Sequence, residues 1–398
     1  MSGKVKDSWR IATKAIHGFG GGDPTGSVSL PIYQTSTFAF KDSQHGADLF
    51  AGTAEGYIYS RISNPTVDAF QHEIACLEGG EAAQGLASGM AASFNAVMTV
   101  CRTGDSFVSS DTLYGGTYAL FSHVLPRFGV IAHQVDGTDL NKVEDAIKKA
   151  KNCKALFFET PANPTLAVLD IEELTKLGHK YDLTIIVDNT FATPILQHPF
   201  DFGVDVIVHS TTKYINGHGD VVGGCVVGDK KFIKSLHDDI LVETGASMTP
   251  LSAWLLLRGL KTLPIRMKQH CFNANRIAQF LSFHPKIEKV HYPGLESHPG
   301  HKIAQKQMSD FSGMIAFEIA GGFEEGKKLM DAIELAAVAV SLGDCDTLIC
   351  HPASTTQASY TPEEREAAGI KDNMIRLSVG IEDVADLMDD LNQALRKI

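Results

Sequence analysis

Residues 204–214 read Val204-Asp205-Val206-Ile207-Val208-His209-Ser210-Thr211-Thr212-Lys213-Tyr214. A short apolar run passes directly into hydroxyl side chains and then a lysine. Runs of this length and β-branched content are read as strands buried on both faces. The same pattern stands upstream in Leu183 to Val187, closing on Asp188-Asn189-Thr190, and in Leu156-Phe157-Phe158-Glu159, closing on Thr160-Pro161. Helical periodicity fills the intervals at Val67 to Leu77, Ala91 to Val100 (opened by Ser88-Gly89-Met90) and Ile171 to His179, and Phe107-Val108-Ser109 adds a short strand. Short apolar strands alternating with helices predict an α/β fold with a mostly parallel sheet covered on both faces. Such sheets collect ligands at the carboxyl ends of their strands. Glu159, Asn163, Asp188, Ser210, Thr212 and Lys213 all fall there.

Outward from this core, Pro250 to Phe283 reads as one long helical stretch leading to a second unit. That unit mixes strands (Met314 to Ile319, Ile375 to Val379) with helices (Phe323 to Ile333, Val384 to Arg396), an α+β pattern. The first sixty or so residues are irregular, with a glycine run at Gly20 to Gly22 and prolines at Pro24 and Pro31, and read as an arm. The expected organisation is an arm over 1–63, a ligand-binding domain over 64–262 and a C-terminal domain over 263–398. Of the 398 residues 44% are hydrophobic and 21% charged, and the net charge of -12 argues against a nucleic-acid or anionic-membrane binder. Seven cysteines in no zinc pattern, a polar N-terminus and no membrane-length apolar run predict a cytoplasmic chain.

Most lysines are solvated. Lys213 instead follows a buried strand and precedes the turn Asn216-Gly217-His218-Gly219. A lysine in a desolvated pocket has a lowered pKa and attacks aldehydes. Asp188, ordinarily a turn residue, ends the neighbouring strand and suits the protonated nitrogen of a pyridine ring. Ser210 and Thr212 offer hydroxyls, and Gly89 and Met90 a helix N-terminus, to a phosphate. Tyr114, in a loop after a short strand, reads either as a half-buried core ring or as a ring stacked on a cofactor with its hydroxyl free for proton transfer. Arg376 lies in an apolar strand; if buried it needs an anion, and a substrate carboxylate matches its fork. Together these point to pyridoxal 5'-phosphate held covalently by Lys213. His209, His218 and Asp220 also raise a metal hydrolase, but no HExxH-like spacing supports one.

The chain resembles the γ-family of pyridoxal-phosphate enzymes of cysteine and methionine metabolism. The resemblance rests on Tyr59-Ser60-Arg61-Ile62-Ser63-Asn64-Pro65, Ser88-Gly89-Met90, Leu113-Tyr114-Gly115-Gly116, Glu159-Thr160-Pro161-Ala162-Asn163-Pro164, Asp188-Asn189-Thr190, His209-Ser210-Thr211-Thr212-Lys213-Tyr214, Gly217-His218-Gly219-Asp220, His351-Pro352-Ala353-Ser354 and Ile375-Arg376-Leu377-Ser378. It implies fold type I of pyridoxal-phosphate-dependent transferases. It implies further that Tyr59 and Arg61 reach the cofactor phosphate of a neighbouring subunit, in a homotetramer built as a dimer of active-site-sharing dimers. By the same resemblance Asn163 lies near the cofactor's ring hydroxyl, and Ser341 and Arg376 hold the carboxylate of a sulfur amino acid.

Within the family, Val340 beside Ser341, the run to Asp344, and Tyr360-Thr361-Pro362-Glu363-Glu364-Arg365 look most like methionine γ-lyases. That implies γ-elimination of methionine or homocysteine to 2-oxobutanoate, ammonia and a thiol, with Lys213 and Tyr114 catalytic and Tyr59, Tyr114, Gly116 and Val340 around the substrate tail. Gly116 stands where those lyases carry cysteine, and the segment Leu241-Val242-Glu243-Thr244-Gly245 lacks their Lys-Asp pair. O-acetylhomoserine sulfhydrylase is therefore the alternative, followed by cystathionine γ-lyase. Gly116 is expected to leave room for tails bulkier than methylthio.

Overall fold

The computed structural model describes residues 6, 8–19, 25–355, 365 and 369–398. The glycine run at Gly20 to Gly22, Pro24 and the segment 360–364 lie outside the described residues.

Seven strands form the first sheet: β1 (Ala82–Leu86), β2 (Ser106–Ser110), β3 (Ile131–Val135), β4 (Cys153–Glu159), β5 (Thr184–Asp188), β6 (Val206–Ser210) and β7 (Gly224–Gly228). Their spatial order is β1-β7-β6-β5-β4-β2-β3. β7 runs antiparallel to both of its neighbours, and the other pairings are parallel. The central strands are apolar on both faces because helices cover both. Leu156, Phe158, Val187 and Ile207 pack into one buried cluster, and Phe157, Ile186, Val206 and Val208 into another on the opposite face. Each such side chain contributes about 1.5–3 kcal/mol on leaving water. These two-sided cores fix the register in which Glu159 sits directly opposite Asp188.

The second sheet is assembled from β8 (Ile287–His291), β9 (Met314–Ile319), β10 (Ala337–Val338), β11 (Leu348–Cys350) and β12 (Met374–Ser378), in the order β10-β11-β12-β9-β8. The stretch expected as one helix is two, Pro250–Leu260 and Leu263–Ser282. Pro264 lies in the first turn of the second, where its missing N–H leaves no helical bond unmade. This second helix joins the two halves: Met267 and Cys271 pack into the core of the first sheet, and Ala274, Ile277 and Leu281 into that of the second.

The arm is less irregular than its sequence suggests. It contains helices Ile11–His17 and Ser43–Phe50, and Ala15 is fully buried in the main core. The short amphipathic repeats behind these helices are masked by the glycines and prolines around them. Between Ser43 and Tyr59 only Gly46 and Leu49 are buried, and Phe50 and Tyr59 are exposed.

Behind the sheet, Glu78 ends helix Pro65–Glu78 and is buried against the ring of His209. The same carboxylate oxygen accepts from Asn189 Nδ2 at 3.0 Å, and Asn189 also bonds Gln197. Removing one member of a buried polar pair strands the others. Glu78→Ala should therefore cost about 3 kcal/mol, read as a lowered midpoint in thermal unfolding; a midpoint unchanged from wild type would contradict this account.

Candidate active site

The carboxyl ends of β4, β5 and β6 open into a cavity of ≈ 320 Å³ lined by, among others, Tyr114, Glu159, Asn163, Asp188, Lys213 and Arg376. Lys213 sits in the 211–223 connection that turns β6 back into its antiparallel neighbour β7. Its Nζ donates to Ser341 Oγ at 2.9 Å. Burial first, and then the guanidinium of Arg376, pull its pKa down to about 8, with the Asp344 carboxylate opposing them. A neutral amine is the form that attacks a carbonyl, so this environment suits the expected nucleophile.

Arg376 is 4% exposed, on β12. Its Nη1 donates to Asn163 Oδ1 at 3.1 Å and its Nη2 to the carbonyl of Ser341 at 2.7 Å, while its buried Nε has no hydrogen-bond partner among the described residues. No carboxylate among the described residues forms an ion pair with it. A buried guanidinium satisfied only by neutral acceptors is a site awaiting an anion. Because guanidinium N–H groups only donate, they fix the orientation of Asn163: its oxygen faces Arg376, which leaves Nδ2 for another acceptor. Ser341 carries φ +92, in the left-handed region that costs a residue with a Cβ, and the bonds to Lys213 and Arg376 meet at this strained residue.

Asp188 accepts from the Thr190 N–H at 3.0 Å, and Thr190 Oγ1 in turn accepts from the Ser210 N–H at 2.9 Å. Burial raises the pKa of Asp188. Burial, and then the charge of Asp188, push the pKa of Glu159, its partner in register, upward as well. Two buried carboxylates side by side favour a cation between or beside them, such as a protonated ring nitrogen. Helix Gly89–Val100 points its N-terminus into the same cavity, capped by Ser88, whose Oγ accepts from Ala91 N. Gly89 is required by close approach: a Cβ there would lie 2.6 Å from Ser210 Cβ. The unspent N–H groups of this first turn, with the Ser210 side chain, form an anion cradle. The Thr212 hydroxyl lines the cavity but pairs with the backbone of Gly223, accepting its N–H at 3.0 Å and facing its carbonyl at 3.2 Å. An amine, an acid, a stackable ring and an anion cradle are thus arranged around one space, and these residues fit pyridoxal 5'-phosphate.

Most of the residues expected from sequence converge here: Gly89, Met90, Tyr114, Asn163, Asp188, Ser210, Thr212, Lys213, Val340, Ser341 and Arg376 all line the cavity. Tyr59 and Arg61 do not. Arg61 donates to the Val242 carbonyl, lies 5.6 Å over the Tyr59 ring and lines a separate cavity with Asp68, Gln71 and His237. Gly116 has a different role from the one expected. A Cβ there would meet Tyr114 Cε1 at 2.5 Å and Met90 Sδ at 3.1 Å, so the space a cysteine would fill is taken by the tyrosine ring rather than left for substrate. The three groups that raised a metal site have partners of their own: His209 binds Glu78, His218 Nδ1 meets the Asn216 carbonyl, and Asp220 accepts from Asn216 Nδ2. Sequence reasoning assigned no role to Glu159, Thr190 or Val222, all of which line the site. Glu159 and Thr190 stand in the quoted motifs, at strand ends, which was the available signal.

If Lys213 is the amine that captures the cofactor aldehyde, the capture rate should rise with pH through a midpoint near 8, set by the depressed pKa, instead of near that of a free lysine. Stopped-flow mixing of cofactor-stripped protein with pyridoxal 5'-phosphate across pH 6–10 measures this. Lys213→Ala should yield no adduct fixed by borohydride. A midpoint of about 10 in the native protein would refute the buried-amine reading.

Comparison with known proteins agrees with this geometry. The family model for Cys/Met metabolism PLP-dependent enzymes matches residues 12–396. The chain is 50% identical over 390 residues to the L-methionine gamma-lyase of Fusobacterium nucleatum subsp. polymorphum, covering 98% of each chain. It is 45% identical over 388 residues to a cystathionine beta-lyase of Lactococcus lactis subsp. cremoris, covering 97% of this chain and 99% of that one. A Campylobacter jejuni structure that carries N'-pyridoxyl-lysine-5'-monophosphate superposes with TM-score 0.93 at 38% identity, covering 98% of this chain and 100% of that one. With a cavity that fits pyridoxal 5'-phosphate, on a chain matched over residues 12–396, one conclusion follows: this chain belongs to the Cys/Met metabolism family of PLP-dependent enzymes.

Proposed function

We propose that the chain catalyses γ-elimination of L-methionine and homocysteine, releasing 2-oxobutanoate, ammonia and a thiol. The observation that carries this reading is Val340. It lines the cavity directly beside Ser341 and Arg376, 55% exposed in the single chain, and offers only methyl groups to the far end of a substrate. The 50% identity to an L-methionine gamma-lyase supports the same choice.

Bound pyridoxal 5'-phosphate supplies an electron sink for charge developing at Cα. The chain's own residues supply the rest. Arg376 and Ser341 hold the substrate carboxylate. Lys213, whose pKa lowered to about 8 brings the free amine within reach near neutral pH, would take the proton from Cα and return protons along the carbon chain. Asp188 keeps the ring nitrogen protonated. The Tyr114 phenol, beside the cavity mouth, gives a proton to the departing thiolate. Asn163 Nδ2 would donate to the ring hydroxyl, and Gly89, Met90, Ser210 and Thr212 would hold the phosphate, Thr212 by giving up its bond to the Gly223 carbonyl.

In this reading Tyr59 and Arg61 act on a neighbouring subunit, which is why they lie outside their own chain's cavity. The assembly is a homotetramer, a dimer of active-site-sharing dimers, in the cytoplasm. Seven free thiols suit a reducing compartment, and no helix among the described residues is long and apolar enough to cross a membrane. Residues 1–63 form the arm, 64–262 the cofactor domain and 263–398 the C-terminal domain.

O-acetylhomoserine sulfhydrylase is the second reading, favoured by Gly116 and by the absence of a Lys-Asp pair in the segment Leu241-Val242-Glu243-Thr244-Gly245. One assay separates the two: methionine alone against O-acetylhomoserine with sulfide, comparing 2-oxobutanoate with homocysteine. Faster homocysteine formation would replace the lyase reading. A second ammonium, as on cystathionine, would meet no partner at Val340 and lose several kcal/mol. Consequently kcat/KM for methionine should exceed that for cystathionine, and Val340→Glu should shift the ratio toward cystathionine. Wild-type enzyme equally efficient on cystathionine would overturn the assignment. Site sharing is tested by mixing Arg61→Ala with Lys213→Ala subunits: reassembled hybrids should regain activity absent from either parent, and no recovery would remove the case for a shared site.

A further inference from the structure

Glu159 is a buried carboxylate with no assigned role, and it joins two loops distant in sequence. It is the last residue of β4 and 4% exposed. Its Oε2 accepts the backbone N–H of Tyr114 at 2.9 Å, and its Oε1 accepts the backbone N–H of Asn163 at 2.8 Å. Tyr114 stands just before helix Gly115–Ala119, with its ring over Gly116. Asn163 carries the oxygen that receives Arg376 Nη1, and Arg376 continues to the Ser341 carbonyl. One side chain thus stands at the centre of a continuous hydrogen-bonded path. The path runs from the aromatic side of the cavity, through the ring-hydroxyl side, to the guanidinium that meets the substrate carboxylate.

We propose that Glu159 is a positioning residue that locks the Tyr114 loop and the Asn163 turn to one another, so that the aromatic stack and the carboxylate anchor are set at a fixed separation. The chemistry requires a carboxylate. Both loops present N–H donors, so the residue between them must accept at both of its terminal atoms. An amide of the same shape accepts at one and places an NH2 group against the second donor. Aspartate keeps both acceptors but is one methylene short of spanning the two loops. Burial strengthens the requirement, because water cannot replace a lost bond there. Asp188 stands opposite Glu159 in register, so the two carboxylates lie side by side at adjacent strand ends and repel one another. A ring cation held at Asp188 would relieve that repulsion and tighten the clamp, so cofactor and clamp support one another.

The proposal rests on the reading of Tyr114 and Asn163 as cofactor-facing residues and does not depend on which sulfur amino acid is turned over. Its test therefore begins with the resting holoenzyme. In Glu159→Gln, the circular dichroism that the bound cofactor acquires from its surroundings should fall or change sign, with cofactor content still stoichiometric. KM for the amino-acid substrate should rise about tenfold or more, as expected when a charged acceptor is lost from a buried site. Glu159→Asp should show the same signature more weakly. By hydrogen exchange, the Tyr114 and Asn163 amides should be protected in wild type and exchange rapidly in Glu159→Gln. A folded Glu159→Gln with wild-type dichroism and KM, altered only in thermal midpoint, would reduce Glu159 to a structural residue and overturn the proposal. If that variant does not fold, the wild-type measurement decides: Tyr114 and Asn163 amides exchanging as freely as those of exposed loops would also overturn it.

Discussion

Two cations, Lys213 and Arg376, share one buried cavity, and neither forms an ion pair with a carboxylate among the described residues. Much of the surrounding structure answers that constraint. Neither charge can be left bare in a space from which water is excluded. Lys213 resolves the conflict by giving up its proton more readily. Arg376 cannot, because a guanidinium stays charged, so neutral oxygens from Asn163 and Ser341 are aimed at it. Ser341 accepts an unfavourable backbone angle to serve both groups. The two carboxylates that line the cavity, Glu159 and Asp188, stand at the ends of β4 and β5, where the nitrogen of a ring would lie instead of its aldehyde, and only Asp344, outside the lining, draws near Lys213. Charge is sorted across the cavity, and the sorting gives the cofactor a direction before it binds.

Most of that arrangement was legible in the sequence, for a physical reason. Parallel strands buried on both faces have little freedom in composition, so Ile185 to Asp188 and Val206 to Lys213 announce both the strand and its polar end. The antiparallel β7 was harder to read, because Gly224–Gly228 is short and glycine-flanked and resembles a loop. Helix Ile11–His17 was read as irregular because its apolar face is too brief to show a period, although Ala15 is fully buried. At the site, types of residue were readable but directions were not. Gly116 illustrates the difference: a missing side chain suggested space, whereas the ring of Tyr114 already occupies it. Glu159 was visible as a strand end, yet both of its partners are backbone amides, which carry no signature in side-chain chemistry. The fate of Thr212, turned to the Gly223 backbone, likewise depends on loop geometry alone.

The helix Leu263–Ser282 deserves comparison with the sheets it joins. Its first half is buried in one core and its second half in the other, so the two halves of the molecule are braced by a single rigid rod. At the cavity the two halves are joined by the hydrogen bonds from Arg376 to Asn163 and from Lys213 to Ser341.

That division of origin has an evolutionary side. The groups suited to the cofactor come from residues 88–213, whereas Val340, which the proposed function sets at the substrate's far end, comes from a segment on the other side of the joining helix. In that reading, changes at Val340 alter what the far end of a substrate encounters while Ser341 and the cradle for the shared chemistry are left intact. A scaffold partitioned in this way can exchange one preferred substrate for another by small steps, each of which passes through a working catalyst. Descendants of one ancestral chain can therefore drift apart in diet without ever losing the ability to react.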